Sequence, residues 1–178
     1  IAAKAGGDVV LTIVSPNILH KTEAGGVQVK LHTQKEVLQA YKDIIRNARK
    51  YNPDADIRGV LVSPMAAEGV EVIIGTKYDD QFGPVIMYGL GGIMVEILRD
   101  VSFRVIPLSP TGARKMIEET KSFPILDGVR GTPPSDKKAI RKLLLLCSEV
   151  VESYPEIAEM DLNPIIVYNE GLSIVDAR

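Results

Sequence analysis

The sequence predicts an α+β domain whose sheets are mostly antiparallel, and three observations point that way. Five apolar, strand-like runs follow one another from Ile57 to Leu108 with Gly, Pro and Asp as punctuation. Near each end of the chain, two strand-like runs are joined by a glycine-containing loop. Helical spacing is confined to three longer stretches, and no internal repeat or low-complexity segment stands out.

In chain order, "IAAKAGGDVV" reads as the tail of a helix running through Gly6 and Gly7 into a strand. Since residue 1 is Ile rather than Met, further sequence upstream is expected, which makes this an N-terminally truncated domain. Val9 to Val14 is β-branched and apolar, and Pro16 closes it, as in a buried strand. Val27 to Leu31 alternates apolar with polar, as in a half-exposed strand, so "NILHKTEAGG" becomes the long loop of a hairpin. Thr33 and Glu36 fit a capping box. Val37, Tyr41, Ile44, Ile45 and Ala48 then recur at helical spacing until Asn52-Pro53 stops the run.

"IRGVLVSPM", "GVEVIIGTKY", "GPVIMYGLGG", "IMVEILRD" and "SFRVIPL" are the five central strand-like runs. Ser109-Pro110 opens a helix over about 111–121, and the Ser135 side chain is placed to cap another over about 136–153. The Gly- and Pro-rich "FPILDGVRGTPPSD" links them as a loop. "LNPIIVYNEGLSIVDAR" ends the chain as two apolar runs joined by Asn169-Glu170-Gly171, a hairpin turn signal.

Composition removes several function classes. At 178 residues and 46% hydrophobic, the chain suits one domain or two small lobes sharing a core. With 21 basic against 23 acidic residues, no positive field exists to hold nucleic acid or an anionic membrane. The longest uncharged stretch, Gln81 to Val95, is 15 residues and broken by Gly and Pro, too short to span a bilayer. Nothing resembles a signal peptide. The one cysteine, Cys147 in "LLLLCSEVV", reads as a small apolar side chain and excludes an internal disulfide. A reducing cytoplasm is the expected location.

Certain stretches carry chemistry. In "SPNILHKTEAGGV", Gly25 and Gly26 let backbone N–H groups approach an anion, because no Cβ blocks contact and positive φ is allowed. His20 brings a side chain able to attack phosphorus near neutral pH and release the phosphoryl group again, and Lys21 offsets phosphate charge. Spacing alone is better served by an ordinary hairpin loop with a structural histidine. No established phosphate-loop fingerprint is present. At the terminal hairpin, centring the turn on Glu170 places Asn163 within about one residue of Asp176 across the mouth. One neutral and one anionic oxygen ligand suit Mg²⁺, which fills its remaining positions with water and nucleotide phosphate oxygens. A plain strand start and a solvated aspartate would read the same way. "MYGLGGIMVE" is a second close-approach loop or a glycine bend, with Glu96 just beyond it. "LVSPMAAEGVEVIIG" is a turn between strands or a hinge between lobes, centred near 63–69, with Glu71 in reach of a ribose hydroxyl.

Taken in order, these motifs resemble the ATP-grasp domain of the nucleoside-diphosphate-forming acyl-CoA synthetases, the acetate–CoA ligase (ADP-forming) group. "VVLTIVSPNILHKTEAGGV", "GVEVIIGTKYDDQFGPVIMYGLGGIMVEILRDVSFRVIPL", "EMDLNPIIV" and "VDAR" carry the likeness over nearly all of residues 1–178. Succinyl-CoA ligase β subunits are more distantly similar. The resemblance implies an ATP-grasp fold and the reversible conversion of acyl-CoA, ADP and phosphate to acid, CoA and ATP. It implies a relay in which a histidine of a separate CoA-binding domain takes the phosphoryl group and the ATP-grasp domain passes it to ADP. CoA-binding and ligase domains or subunits of the same synthetase are thus the implied partners, and Mg²⁺ with ATP or ADP the implied cofactors.

Carried over by position, Asn163 and Asp176 match the Mg²⁺ ligands and Gly25 and Gly26 the loop over the nucleotide phosphates. Ser63 to Met65 match the adenine hinge, and His20 a second phosphoryl carrier. Lys21 is expected beside the phosphates, as are Glu96 and Arg104, and Glu71 at the ribose; these last three match by motif neighbourhood only. One position departs. The family reads "VVLKIVSP", with its lysine on the nucleotide phosphates, where this chain has Thr12. Losing one charge-assisted hydrogen bond costs about 1.5–3 kcal/mol, so either Lys21 or Lys30 compensates or nucleotide binding is weak. The contrasting expectation is a non-catalytic regulatory module, since synthetase-like regions also occur fused to protein acetyltransferases. A grasp-fold ligase joining a carboxylate to an amine is disfavoured by "HKTEAGG" and "FGPVIMYGLGG".

Overall fold

The computed structural model describes residues 8–92, 95, 98–129 and 131–178, and the chain divides into two compact units, Ile1–Met65 and Ala66–Arg178. The smaller unit contains β1 (Val9–Val14), β2 (Val27–Leu31), α1 (Gln34–Tyr51) and β3 (Gly59–Pro64). Its sheet runs β2-β1-β3, with both pairings antiparallel. Val9, Leu11 and Ile13 on one face of β1 pack with Ile18, Ala24 and Leu31 and with Ala40, Ile44 and Ala48 of α1. Val10 and Thr12 are half-buried and Val14 is exposed. The β-branched run is therefore covered on one face, not two.

The capping box forms as its spacing requires. The Thr33 hydroxyl accepts from the Glu36 N–H at 3.2 Å, and the Glu36 carboxylate accepts from the Thr33 and His32 N–H groups at 2.8 and 2.9 Å. Unpaired N–H donors need partners at every helix start, and this box supplies acceptors for those of Glu36, Thr33 and His32 from within the chain.

The larger unit holds β4 (Val70–Asp79), β5 (Gly83–Leu90), β6 (Val101–Val105), α2 (Pro110–Glu118), a 3₁₀ turn (Phe123–Asp127), α3 (Lys137–Ser153), β7 (Glu159–Val167) and β8 (Leu172–Ile174). Its sheet runs β6-β5-β4-β7-β8, antiparallel throughout. Val72, Ile74, Ile86, Tyr88, Leu162, Ile165 and Val167 point to one face and form a core with Met116 and Ile117 of α2 and Ile140, Leu144 and Cys147 of α3. Cys147 behaves as the apolar filler its surroundings predict, and burial pushes its thiol up to about 11.

Several sequence expectations change. Within "IMVEILRD", expected as a strand, the described Val95 and Leu98 are helical, the Val95 N–H donating to Gly92 O at 3.2 Å and the Arg99 N–H to Val95 O at 3.1 Å. An apolar run that short fits either period, and the backbone hydrogen bonds decide. The first helix after the strands ends at Glu118 rather than near 121, and the linker beyond it contains the 3₁₀ turn. Asp136, not Ser135, caps α3, its Oδ1 accepting from the Ala139 N–H at 2.9 Å while Oδ2 holds the Gly171 N–H at 2.9 Å. A carboxylate has two oxygens set apart, one for the helix and one for the β7–β8 turn, where a hydroxyl has a single oxygen. The expected helix tail over residues 1–7 lies outside the described residues.

Thr33→Ala should cost about 0.5–2 kcal/mol, read as a lowered urea midpoint at unchanged slope. The Thr33 and His32 backbone bonds hold the Glu36 carboxyl below its usual range. That contribution is therefore present above the unfolded carboxyl value and lost as pH falls through the lower folded one. The Glu36→Gln variant should show less of this acid-side decline than wild type.

Candidate functional site

After β1 the chain does not form an open loop. The Ala24 N–H donates to His20 O at 3.1 Å, the Gly25 N–H to Thr22 O at 2.9 Å and the Gly26 N–H to Lys21 O at 2.8 Å, a compact turn. Ile13 N–H reaches Gly26 O at 2.7 Å, and Asn47 Nδ2 of α1 donates to Gly25 O at 3.3 Å. Buried Ile18 and Ala24 pin the turn from below, while His20 and Glu23 are exposed. The two glycines have a structural reason to be there. Gly25 takes φ +62°, and a Cβ on Gly26 would lie 2.5 Å from Ile13 Cγ2 and 3.0 Å from Lys21 O. Both glycine N–H groups are already donated within the turn, so in this conformation they close the loop on itself. Asn47 is a residue the sequence reading missed, because its partner is 22 positions away.

The face of the small sheet opposite α1 carries the other expected residues of this unit. Ser63 lies opposite Val10, and Leu61 opposite Thr12, by the β1–β3 register. Ser63 and Met65 are half-buried, and the Met65 N–H donates to Asp8 O at 2.9 Å. That N–H is thereby committed to the sheet edge.

In the larger unit the sheet face away from α2 and α3 can be read row by row from the register. One row runs Phe103, Met87, Gly75, Asp161; the next runs Val105, Val85, Lys77, Glu159. The face is apolar over β5 and β6, where Phe103 and Val105 are exposed, and acidic over β7. Gly75 leaves its middle without a side chain.

The terminal hairpin places Asn163 beside Asp176. Ile165 pairs with Ile174, Leu162 bridges to Ala177, and the Asn163 N–H donates to Asp176 O at 3.1 Å. Asn163 is exposed and precedes a cis peptide bond to Pro164. The Asp176 carboxylate is held by Arg178, with Nη2 at 3.1 Å and Nε at 3.3 Å. Asp161 exchanges both backbone hydrogen bonds with Arg178 at 2.9 Å. Burial, with Asp176 and Glu159 adding to it, raises the Asp161 carboxyl above its usual range against the opposing pull of Arg178. The sequence reading passed over Asp161, although its position two residues before Asn163 on one strand put it on the same face.

Glu71 is exposed at the start of β4, and its C=O accepts the Gly91 N–H at 2.7 Å, so it sits where "GLGG" turns away from the sheet. Arg104 points to the opposite, helix-covered side. Its guanidinium grips the Glu119 carboxylate with two bonds, 2.8 and 2.6 Å, which keeps that carboxyl low and the arginine charged. Any phosphate contact by Arg104 competes with this pair. Glu96 lies outside the described residues. Among the described residues no group of three or more His, Cys, Asp or Glu is arranged to hold a metal alone, and no helix is long and apolar enough to cross a membrane.

A three-stranded antiparallel sheet backed by one helix and a five-stranded one backed by two, in successive units, make up the architecture of an ATP-grasp domain, and residues 1–178 match the ATP-grasp domain family. The acetate–CoA ligase (ADP-forming) II subunit beta of Pyrococcus furiosus is 50% identical over 180 residues, covering 99% of this chain and 76% of that one. Dinucleotide-forming acetyl-coenzyme A synthetase 1 of Ca. Korarchaeum cryptofilum, in complex with coenzyme A, Ca-AMPCP and HgCl+, gives a TM-score of 0.93 at 49% identity, over 99% of this chain and 77% of that chain. Another complex of that synthetase holds coenzyme A and Mg-AMPPCP, with its phosphohistidine segment pointing towards the nucleotide binding site. It gives a TM-score of 0.82 at 46% identity, over 99% and 78% of the two chains. The chain belongs to the ATP-grasp proteins of the ADP-forming acetate–CoA ligase family, which are ligases. At that level the membership supports nucleotide binding within a larger synthetase.

Gly26→Ala should destabilise the smaller unit by about 1–3 kcal/mol, since neither the β1 core residue nor the backbone oxygen beside it can give way freely. Urea unfolding of the variant should show a lowered midpoint. An unchanged midpoint would mean that the turn is not closed against β1.

Proposed function

We propose that this chain is the nucleotide-handling part of an ADP-forming acyl-CoA synthetase, moving a phosphoryl group between His20 and ADP or ATP. The observation that carries the reading is the register of the terminal hairpin, which sets an amide and a carboxylate side by side at Asn163 and Asp176. It is supported by the solved relative that holds Mg-AMPPCP and a phosphohistidine segment directed at its nucleotide site.

The donor set fits Mg²⁺. Hard oxygen ligands, few in number, leave the remaining positions to water and phosphate, as this ion prefers. When bound, the ion would neutralise charge on the nucleotide phosphates. Asn163 and Asp176 would hold it, and Arg178 orients the Asp176 carboxylate. In the ATP-forming direction a ring nitrogen of His20 gives up its phosphorus, and an oxygen of the ADP β-phosphate takes it. The N–P electron pair returns to the imidazole, and no net proton transfer is needed. Such transfers require positioning and charge stabilisation more than covalent machinery. Lys21 supplies positive charge one residue from His20. Gly25 and Gly26 fix the turn that presents His20, and reach a phosphate only if their internal hydrogen bonds open. Ser63 to Met65 are assigned to the base, Glu71 to the ribose, and Glu96 and Arg104 to the phosphate surroundings. A CoA-binding domain and a ligase domain or subunit would complete the reaction.

Thr12 favours a second reading, a synthetase-like regulatory module. It lies on the face of the small sheet away from α1, beside Leu61, where a lysine would project without entering the core. Its hydroxyl cannot replace that charge.

Calorimetry with Mg-ADP and Mg-ATP separates these. Wild type should bind, Asp176→Ala should lose at least about tenfold in affinity, and Thr12→Lys should gain about ten- to a hundredfold. Equal binding by wild type and Asp176→Ala would remove the metal assignment. A silent wild type with a binding Thr12→Lys variant would transfer the case to the regulatory reading.

A further inference from the structure

The turn that carries His20 also carries a carboxylate within ion-pair reach of its ring. The hydrogen bonds of Ala24, Gly25 and Gly26 back to His20, Thr22 and Lys21 give residues 20–26 a helix-like course, which puts side chains three apart on one side. Glu23 Oε1 accordingly stands 3.9 Å from His20 Nδ1, with both side chains mostly exposed at 66% and 72%. The backbone between them is fixed from beneath by buried Ile18 and Ala24 and laterally by Asn47. Two exposed side chains on a pinned turn thus stand within Coulombic reach of each other, at a separation longer than a hydrogen bond.

We infer that Glu23 is a positioning residue for His20, its carboxylate keeping the ring proton on Nδ1 so that Nε2 carries the lone pair that bonds phosphorus. This rests on the phosphoryl-carrier reading of His20. In the ATP-consuming direction, Nε2 forms the N–P bond as the bond from the γ-phosphorus to the β,γ-bridging oxygen breaks, and ADP leaves with that electron pair. The Nδ1 proton stays in place, so the phosphorylated ring carries a positive charge facing Glu23. In the reverse direction the same charged ring is a better leaving group, and the carboxylate limits how readily it departs. A carboxylate fixing the tautomer of a functional imidazole is a general device. Here both partners come from one seven-residue turn.

The test uses the whole chain and reads the ring before activity. Long-range ¹H–¹⁵N NMR, at a pH where the ring is neutral, should show His20 with its proton on Nδ1 in wild type and Glu23→Asp. In Glu23→Gln it should move towards the Nε2-protonated form that a free imidazole prefers. Phosphorylation with Mg-ATP, and separately with phosphoramidate, which needs no nucleotide site, should put phosphate on Nε2 of wild type. Glu23→Gln should slow this about fivefold at most, the scale of an exposed pair, with Glu23→Asp recovering part of it. A wild-type ring protonated on Nε2, a tautomer insensitive to Glu23, or phosphate on Nδ1 would overturn the inference. If the tautomer follows Glu23 but Mg-ATP leaves His20 unmodified while phosphoramidate modifies it at Nε2, the positioning role stands and the nucleotide relay falls.

Discussion

The larger unit is organised by the packing of α2 and α3 against one face of its five-stranded sheet. Val72, Ile74, Ile86, Tyr88, Leu162, Ile165 and Val167 are drawn to that face, and each is almost completely buried. Strand side chains alternate, so the burial of one set fixes the other: Glu71, Gly75, Met87, Phe103, Asp161 and Asn163 are left on the opposite side. A one-residue slip of β7 against β4 would turn Leu162 outward and the carboxylate of Asp161 into the core. Burying an unpaired carboxylate is among the costliest changes a core can suffer, so the core enforces the site's register. The irregularity between Val72 and Ile74 is absorbed at Asn163–Pro164, where β7 changes which residues face the helices.

A different economy governs the turn after β1. Its backbone polar groups bond within the turn and to β1, its glycines are explained by contacts with Ile13 and Asn47, and the chemistry proposed for it would rest on the exposed side chain of His20. Rigidity of the backbone and freedom of the imidazole are compatible because they belong to different atoms. A histidine buried for stability could not accept and release a phosphoryl group without disturbing the fold around it.

Much of this architecture was legible in the residues themselves. The Thr33–Glu36 box, the three helical stretches and the terminal hairpin all follow from local rules, and the turn at Asn169 to Gly171 sufficed to set Asn163 against Asp176. What could not be read depends on distant or ambiguous partners. Asp136 caps α3 because its second oxygen has the Gly171 N–H to hold, 35 residues on. Val95 and Leu98 turned helical because a short apolar run satisfies both periods. Arg104 was assigned by neighbourhood alone, and the sequence carried no sign that Glu119 would grip it. The hydrogen bonding of the Gly25 and Gly26 N–H groups was likewise invisible, since a glycine pair announces conformational freedom and not how it is spent.

Thr12 shows how fold and site requirements separate. On the face of β1 away from α1, a β-branched residue suits the strand as well as a long cation does, and the core formed by Val9, Leu11 and Ile13 is indifferent to the choice. Nothing in the packing of the small unit thus compels a lysine there. The Lys21 backbone lies close to this strand, its C=O accepting from the Gly26 N–H while Gly26 O accepts from the N–H of Ile13, the neighbour of Thr12. Under the proposed function, the choice between threonine and lysine at this position is therefore set by the nucleotide and not by the fold.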